Sequence, residues 1–597
     1  MLSFTDFLRP PDGWITEQAV LATYSADLVV VVTSLLALGG AVLDQKRTGN
    51  RVELVKSVEA LRGRVRVMAQ AGRITVPNAP RSILKLLDRF VRVVDADESV
   101  RSWHPKVTII RCHQVDDVEN RMWRLWLGSR NLTRAFNWET GLVLTSRSDS
   151  RGQRISNLND LILGLIKRAN LPALNPTIVK KELAEITWEC PPATQIQSIK
   201  LLDSNSRNEL PQLTNNLERL FLVSPFLDDK VVRLASKWGN ENTRRTLVST
   251  TMELQRLYHE DGTVFNGFQN VLMQPLPDLP AEDPQLVGDA DESEPTESEE
   301  ISPTGLHAKL ILAASRSHGR LWMGSPNATM RGWGGRNFET VAELSIGKDI
   351  VEAIEDFVGC SQSFIPTSGT VEVDQDTEAL EEARKLLSAH WRLRQRFEGD
   401  LLHIVAERSP PLDNTTLQLE IAVLGGTWTV WPIGQTELVL VGIPLWQRTE
   451  FIQVRLIRGE KMAAWIQIAP CDPPPDETRD RALVSEYLDP RTFLTWLRSL
   501  LTDDAVSSGG GDWDAEDNQS SMQSDGQQTL DLGLLPTVEE ILRAWARDVQ
   551  TFVSADKKVV SYLTEIRQRA RERNDLDGLQ LLELFEQTWS TLSSELR

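Results

Sequence analysis

Two distant stretches of the chain share one pattern of chemically active residues. In the first, residues 103–110 read WHPKVTII, 125–133 read LWLGSRNLT and 137–139 read NWE. In the second, residues 306–312 read LHAKLIL, 321–329 read LWMGSPNAT and 337–339 read NFE. Each array is His-x-Lys in an apolar strand, a second apolar strand ending in Gly-Ser-x-Asn, and then Asn-x-Glu. Because the order is the same in both, the sequence predicts two homologous halves that each supply half of one site.

The residue types in these arrays suit the hydrolysis of a phosphodiester. Residues i and i+2 of a strand share a face, so each His is expected beside its Lys. The glycine allows a close approach of the backbone and brings the following Ser and Asn next to that pair. The predicted site is His104, Lys106, Asn131 and Glu139 with His307, Lys309, Asn327 and Glu339, supported by Ser129 and Ser325.

Each residue type has a role in that chemistry. Two lysines and two asparagines can neutralise the anionic phosphate oxygens without a metal ion. One histidine can attack phosphorus while the other protonates the leaving oxygen. Glu139 and Glu339 are the candidates for anchoring the second ring nitrogen of each histidine. The four cysteines lie far apart with no CxxC pair, which argues against a zinc site and a disulfide framework, and no cofactor or metal is predicted.

The net charge of −19 is concentrated in two segments. Residues 276–304 hold ten acidic residues and residues 502–528 hold seven, and neither segment contains Lys or Arg. Such compositions cannot bury enough apolar surface to offset the entropy of ordering, so disorder is expected in both. Residues 1–200, by contrast, contain 28 Lys plus Arg against 20 Asp plus Glu, which permits a basic face around the first array.

Short apolar runs that alternate with helical patterns before residue 270 predict an α/β fold. Residues 29–32, 65–68 and 91–94 are expected as strands, and residues 52–61, 82–90 and 228–238 as helices. Residues 376–397 carry an amphipathic helical pattern. Residues 417–470 alternate like half-buried strands, and residues 537–595 are helical, with a capping box at Thr537 and Glu540.

The two arrays resemble the motifs of the phospholipase D superfamily, whose members pair two such halves across a pseudo-twofold axis. The resemblance covers residues 20–365, and FLVSPF at residues 221–226 is similar to the opening of the second half. The superfamily usually has an Asp five residues after the Lys, but Arg111 and Ala314 occupy those positions here. This departure resembles the tyrosyl-DNA phosphodiesterase branch. The resemblance implies that His104 attacks and His307 protonates the leaving group.

The resulting organisation has six parts. They are a first phospholipase-D-like half (1–200), a second half (201–370) with an acidic insertion (276–304), a connecting helix (371–400), a β-rich accessory domain (401–501), an acidic flexible linker (502–530) and a helical C-terminal domain (531–597). The first array also has the longer spacer between its two strands. Residues 112–124 within that spacer are expected to form a hairpin or loop by the site.

The leading functional hypothesis is a metal-independent nuclease that cleaves DNA or RNA, with DNA the favoured substrate, through a phosphohistidine. Similar motifs in bacterial nucleases and phage-defence proteins suggest a multi-subunit defence or DNA-processing system. The alternatives are a catalytically silent subunit that binds nucleic acid or a partner, and a phospholipase or phosphatidyltransferase. A helicase or ATPase is a possible partner of the C-terminal region, since the chain has no Gly-x-x-x-x-Gly-Lys-Ser/Thr loop.

A cytoplasmic location without membrane contact is expected. The longest apolar run, residues 28–43, is shorter than the roughly 20 residues that a membrane-spanning helix needs. The first residues lack the basic, apolar and small-residue order of a signal peptide.

Overall fold

The computed structural model describes residues 3–41, 50–135, 137–149, 151–172, 174–204, 206, 209–213, 217–274, 305–367, 374–412, 416–502 and 534–596. Helices within these ranges are α1 (Phe4–Leu8), α2 (Leu28–Leu38), α3 (Arg51–Leu61), α4 (Leu158–Ala169), α5 (Pro176–Glu185), α6 (Asp229–Ala235), α7 (Thr251–Glu260), α8 (Met330–Trp333), α9 (Lys348–Gly359), α10 (Gln375–His390), α11 (Glu477–Tyr487), α12 (Pro490–Thr502), α13 (Val538–Arg547), α14 (Val549–Glu572) and α15 (Leu576–Leu596). Two 3-10 helices cover Ser82–Arg89 and Leu445–Gln447.

The strands follow in chain order. They are β1 (Trp14–Ala22), β2 (Ala26–Asp27), β3 (Val65–Gln70), β4 (Ile74–Thr75), β5 (Val91–Val94), β6 (Val107–Gln114), β7 (Asp117–Gly128), β8 (Asn137–Trp138), β9 (Gly141–Arg147), β10 (Thr187–Glu189), β11 (Thr194–Leu202), β12 (Arg219–Val223), β13 (Arg244–Ser249), β14 (Asn270–Met273), β15 (Gly305–Leu306), β16 (Leu310–Ala314), β17 (His318–Gly324), β18 (Glu339–Gly347), β19 (Gln362–Ser363), β20 (Leu393–Glu398), β21 (Leu401–Ala406), β22 (Gln418–Val423), β23 (Thr429–Val430), β24 (Glu437–Val441), β25 (Phe451–Arg458), β26 (Lys461–Ile468) and β27 (Cys471–Asp472).

Two large mixed sheets share an arrangement of six strands, β9-β7-β6-β1-β3-β5 in one and β18-β17-β16-β12-β13-β14 in the other. The first has the order β10-β9-β7-β6-β1-β3-β5, and the second has the order β11-β18-β17-β16-β12-β13-β14-β19. In the first sheet β1, β3 and β5 are parallel and β6 is antiparallel to β1. In the second, β12, β13 and β14 are parallel and β16 is antiparallel to β12. The repeated sequence array therefore lies on a repeated sheet, and in both sheets the His-x-Lys segment leads into the strand beside the first parallel one.

The two sheets share one apolar core. Four residues show this sharing, and each is at most 2% exposed: Ile109 and Leu125 from the first sheet and Leu312 and Leu344 from the second. All belong to a single buried cluster that also includes residues of helix α4. Burial of this kind contributes roughly 25 cal/mol per Å² of apolar surface. The shared core fixes the sheets relative to each other, which is the condition for combining two half-sites.

The predicted strand at residues 29–32 is wrong, because these residues open helix α2. Asp27 caps this helix, and its side chain accepts a hydrogen bond from Val29 N at 2.8 Å. The run of valines suggested a strand, yet most of α2 is buried, so it lacks the polar positions that reveal a helical period. Strands at Val65–Gln70 and Val91–Val94 and the helix at Arg51–Leu61 are confirmed.

The helix predicted over residues 376–397, and with it the connecting helix over 371–400, ends earlier than expected. Helix α10 stops at His390, and residues 393–398 form strand β20. This strand pairs with β21 and with β27. Leu393 is buried, and it lies seven residues after Leu386 and three after His390, a spacing that imitates the continuation of the helix. The apolar pattern alone could not mark the boundary.

Strands β20 to β27 form two four-stranded sheets, which confirms the strand-rich character of residues 417–470. The β-rich assignment fails for the end of the 401–501 segment, because α11 and α12 occupy it. Both helices pack into a core with α13, α14 and α15, and the same core contains α2 and α3 near the start of the chain. The C-terminal helices therefore pack directly on the first half.

Named contacts join the C-terminal helices to α3. Tyr562 donates its hydroxyl to Glu59 at 3.0 Å, Lys558 pairs with the same carboxylate, and Lys56 donates to the backbone of Ser499 at 3.3 Å. The capping box of Thr537 with Glu540 is confirmed. Aromatic residues of the tail that could have docked a partner subunit are instead core residues: Phe552, Phe585 and Trp589.

Both acidic segments lie largely or wholly outside the described residues, so the expected insertion and linker stay predictions. Within the described ranges, no helix combines the length and the apolar character that crossing a membrane requires.

Trp496 offers a test of the shared core between the C-terminal helices and the first half. Its side chain is fully buried, packs edge-on against Tyr562 at 5.3 Å and lies under Lys558. We expect Trp496→Ala to lower the free energy of unfolding by about 3–5 kcal/mol, because it leaves a cavity between these helices. Chemical denaturation followed by circular dichroism measures the change. Leu576→Ala, at a side chain that is 69% exposed, is the control and should change stability little.

Candidate active site

Each His-x-Lys segment pairs with the Asn-x-Glu segment of the other half. His104 N donates to Phe338 O at 3.0 Å, and His307 N donates to Trp138 O at 2.9 Å. The asparagines strengthen the exchange: Asn337 Oδ1 accepts from Ser102 N at 3.2 Å, and Asn137 Oδ1 accepts from Gly305 N at 3.1 Å. Backbone pairing thus brings the two arrays together at one place.

The carboxylates are exchanged as a result. His104 Nδ1 lies 2.8 Å from Glu339 Oε2, and His307 Nδ1 lies 3.6 Å from Glu139 Oε1. Each histidine is therefore paired with the glutamate of the other array. The first distance is a hydrogen bond, while the second is beyond hydrogen-bonding range. His307 Nδ1 and Glu139 Oε2 are both buried without a hydrogen-bond partner among the described residues.

The lysines are buried beside their histidines. Lys106 Nζ lies 3.0 Å from His104 Nε2 and 3.4 Å from His104 O, while Lys309 Nζ donates to His307 O at 3.0 Å. Both lysine residues are at most 2% exposed. An ammonium group has donors only, so His104 Nε2 must accept, and the proton of this ring is then on Nδ1, facing Glu339.

The Gly-Ser-x-Asn turns are held by their serines. Thr140 N donates to Ser129 Oγ at 3.0 Å, and Thr340 N donates to Ser325 Oγ at 2.9 Å. Ser325 Oγ in turn donates to Glu339 Oε2. The glycines are required by close packing, since a Cβ at Gly128 would lie 2.3 Å from Thr140 O.

The side-chain oxygens of the asparagines in these turns are not held by hydrogen bonds within the described residues. Asn131 is 5% exposed and lines the same cavity as His307 and Glu139. Asn327 is half-buried after the matching turn. Both Oδ1 atoms lack a hydrogen-bond partner among the described residues.

The two glutamates differ in their affinity for a proton. Burial raises the pKa of Glu139 to about 7, against the opposing effect of Arg130, Lys309 and Lys106. Burial acts in the same direction on Glu339, but His104, Lys106 and the Ser325 hydroxyl outweigh it and lower the pKa of Glu339. At neutral pH, Glu339 is an anion and Glu139 is protonated in about half of the molecules.

Both histidines are neutral at pH 7. Burial lowers the pKa of His104, Glu339 opposes this effect, and Lys106 adds to it. Burial together with Lys309 and Lys106 lowers the pKa of His307 well below its ordinary value. Since each lysine acts on both rings, the two half-sites lie within electrostatic range of each other.

Several residues that hold this site were not identified from the sequence. Gln70, fully buried at the end of β3, accepts from Trp103 N at 2.6 Å and donates to Ala96 O at 2.9 Å. The Tyr24 ring meets the His104 ring edge-on, with centroids 4.9 Å apart. Asn137 and Asn337 carried a usable signal, because both belong to the repeated array. Gln70 and Tyr24 lie outside it.

The tryptophans that flank the arrays are core residues. Trp103, Trp123 and Trp333 are at most 3% exposed, and Trp126 packs edge-on against Phe4 at 5.2 Å. Base stacking on the three buried rings is therefore excluded.

Residues 112–124 were expected to form a hairpin or loop by the site. They do belong to a hairpin, but its turn lies far from the site. Strands β6 and β7 form this hairpin and place its turn at the end away from Lys106, about 25 Å along the strand.

Glu139 allows the asymmetry between the two carboxyl groups to be measured. Its folded pKa of about 7 lies above its usual 4.5, so its contribution to stability is complete below pH 4.5 and is lost as the pH rises through 7. Glutamine has no such dependence. We therefore expect the free energy of unfolding of Glu139→Gln, taken relative to that of wild type, to rise by about 3 kcal/mol between pH 4.5 and pH 8. Denaturant unfolding of both proteins at each pH measures this change.

A difference between wild type and Glu139→Gln that does not vary with pH would contradict the raised pKa. Glu119→Gln is the matched control, because the Glu119 side chain is 80% exposed.

Comparisons with known proteins find a likeness among solved structures only. No protein-family model matches the chain, and no curated protein matches it. Among solved structures, the chain is similar to a crystal structure of a yeast tyrosyl-DNA phosphodiesterase mutant, with 10% sequence identity and a TM-score of 0.33. The alignment covers 56% of this chain and 83% of that one.

Proposed function

We propose that the chain is a phosphodiesterase that cleaves nucleic acid, DNA rather than RNA, through a covalent phosphohistidine on His104. The observation that carries this proposal is the ring orientation of His104. Its Nδ1–H is held by the Glu339 anion, and the lone pair of its Nε2 is directed towards the Lys106 ammonium. A neutral imidazole with a fixed tautomer and an available lone pair is an activated nucleophile.

The cation beside that lone pair suits an anionic substrate. A phosphodiester brings negatively charged oxygens to the position where Lys106 Nζ now contacts His104 Nε2. When the Lys106 ammonium changes its hydrogen-bond partner from His104 Nε2 to a phosphate oxygen, the Nε2 lone pair becomes free to attack phosphorus. Lys309, Asn131 and Asn327 are proposed to bind the remaining phosphate oxygens and to stabilise the charge of the transition state.

In the first step, His104 Nε2 forms a bond to phosphorus and the bond from phosphorus to the leaving oxygen breaks. The leaving oxygen takes a proton from His307 Nε2. The protonated Glu139 carboxyl returns one proton to His307 Nδ1, so the pair ends as neutral imidazole and carboxylate. Water then attacks phosphorus: its oxygen forms a bond to phosphorus as the bond to His104 Nε2 breaks, which restores the His104 lone pair. The proton of the water goes to His307 Nε2, and the proton on Nδ1 returns to Glu139. The raised pKa of Glu139 and the unpartnered Nδ1 of His307 support this relay.

The cavity beside His307 suits a substrate of nucleotide size. Its volume is about 480 Å³, and its lining includes Phe226 and the basic residues Arg73, Arg134 and Lys385, each of which pairs with a carboxylate of the same lining. This volume lies within the range for sites that bind small molecules. The basic run in the tail is not proposed as a nucleic-acid contact, because Arg567, Arg569 and Arg573 pair with glutamates of the helical region.

The test is cleavage of labelled single- and double-stranded DNA and RNA in excess EDTA. We expect wild type to cleave and His104→Ala to lose turnover. His307→Ala should be slower by about 10²–10⁴-fold, the usual contribution of a general acid, and should accumulate a covalent protein–nucleic-acid adduct. The adduct's mass and its acid-labile bond, mapped to His104, identify the nucleophile.

The matched control is His318→Ala, because His318 is an exposed histidine on strand β17, which pairs with the strand that follows Lys309. It should cleave at the wild-type rate. Binding of nucleic acid without cleavage of any substrate would refute hydrolysis and favour a binding subunit.

A further inference from the structure

One wall of the active-site cavity comes from outside the two large sheets. Residues of helix α10 and strand β26 line the cavity together with Tyr24, Glu139 and His307: Thr377, Leu380, Glu381, Arg384, Lys385, Met462, Ala463, Ala464 and Trp465. The segment after residue 374 therefore contributes to the surroundings of the catalytic residues, although it contains neither array.

A buried cluster of charges joins helix α10 to the first half. The carboxylate of Glu98 accepts from Arg73 at 2.6 Å, from Arg384 at 2.8 Å and from the Tyr24 hydroxyl. Both arginines also bond to Glu381, at 2.5 and 2.8 Å. Glu98 and Arg384 side chains are 5% and 6% exposed. Burial alone would raise the pKa of Glu98, but the two arginines and Tyr24 bring it down to about 2.

Helix α10 is closely docked at this point. Arg384 Nη1 donates to Gly72 O at 3.0 Å. Gly72 has a positive φ of 76°, and a Cβ there would lie 2.6 Å from the Ser388 Cβ. No larger residue fits between the helix and this turn, so the position of Arg384 relative to Glu98 is fixed.

Tyr24 connects this cluster to the nucleophile. Its hydroxyl is bound to Glu98, while its ring lies 4.9 Å from the His104 ring at 65° and 5.6 Å from Lys106 Nζ. Arg73 lies over the same ring at 5.1 Å. Glu339 fixes one nitrogen of His104 by a hydrogen bond, and the edge contact with Tyr24 limits rotation of the imidazole about that bond.

We propose that Tyr24 is a positioning residue for His104, and that helix α10 sets its position through Arg384 and Glu98. The proposal rests on the proposed function for its kinetic consequences. It makes the segment after residue 374 part of the catalytic unit. A substrate group that fills the cavity contacts α10 directly, so binding there and the orientation of His104 are coupled through one buried carboxylate.

The experiment compares Tyr24→Leu, Tyr24→Phe and Arg384→Met by two measurements. The first is the rate of covalent adduct formation in a single turnover, in the His307→Ala background. Tyr24→Leu should lower this rate by about 10- to 100-fold with little change in the substrate concentration for half-maximal rate, as expected for a misplaced nucleophile. Arg384→Met should shift the rate in the same direction, and Arg384→Lys should recover part of it.

The second measurement does not depend on activity. Nitrogen-15 spectra of labelled histidine, assigned with His104→Ala, report which ring nitrogen of His104 carries the proton. Wild type should show the Nδ1–H form, and Tyr24→Leu and Arg384→Met should show averaging of the two forms. If wild type proves inactive on nucleic acid, the proposed function fails, and this measurement still tests the positioning.

Tyr24→Phe guards against unfolding as an explanation, because it removes only the hydroxyl that binds Glu98. It should fold normally and show a smaller effect than Tyr24→Leu. The control is Arg392→Met, since Arg392 is a partly exposed arginine just after α10 that pairs with the exposed Asp95. If all three variants matched Arg392→Met in rate and in the His104 spectrum, the proposal would be overturned.

Discussion

The site depends on backbone hydrogen bonds that join the His-x-Lys segment of each half to the Asn-x-Glu segment of the other half. Without the bonds from His104 N to Phe338 O and from His307 N to Trp138 O, neither histidine would have its glutamate. The backbone pairing places each His-x-Lys segment beside the Asn-x-Glu segment of the other half. Neither half can therefore complete a His–Glu pair alone. The shared apolar core between the sheets keeps this register, since any slip would separate buried residues that pack across it.

The duplication in sequence does not give two equivalent half-sites. Ser325 Oγ donates to Glu339, whereas Ser129 Oγ donates to the backbone of Thr140. Glu339 thus has a hydroxyl and an imidazole that stabilise its charge. Glu139 has instead the His307 ring at 3.6 Å and Arg130 at 3.8 Å, and burial outweighs the opposing effect of Arg130 and the two lysines on its ionisation. One fixed anion and one carboxyl that titrates near pH 7 suit opposite tasks, holding a nucleophile and moving a proton.

How far the sequence predicted this structure depended on whether the signal was local. The apolar strands that follow each His-x-Lys segment and the capping box at Thr537 follow from short patterns and are confirmed, but the His-x-Lys residues themselves precede those strands instead of lying in them. Helix α2 was missed because tertiary burial hides its period. The end of α10 was missed because Leu393 continues the apolar spacing in a strand. The exchange of glutamates could not be read from either array, since it is set by pairing between segments about 235 residues apart.

The same limit explains why helix α10 looked like a connector. Arg73, Glu98, Glu381 and Arg384 are ordinary surface residue types, and nothing in the sequence marks residues about 300 positions apart as partners. In the fold they form one buried network. A buried carboxylate with two arginines loses much of its benefit if one partner is removed, because a charge is left uncompensated. Such a network is costly to rearrange, so it holds helix α10, Glu98 and Tyr24 in fixed relative positions. The network lies between the cavity wall and Tyr24, so this rigid part of the chain is next to His104.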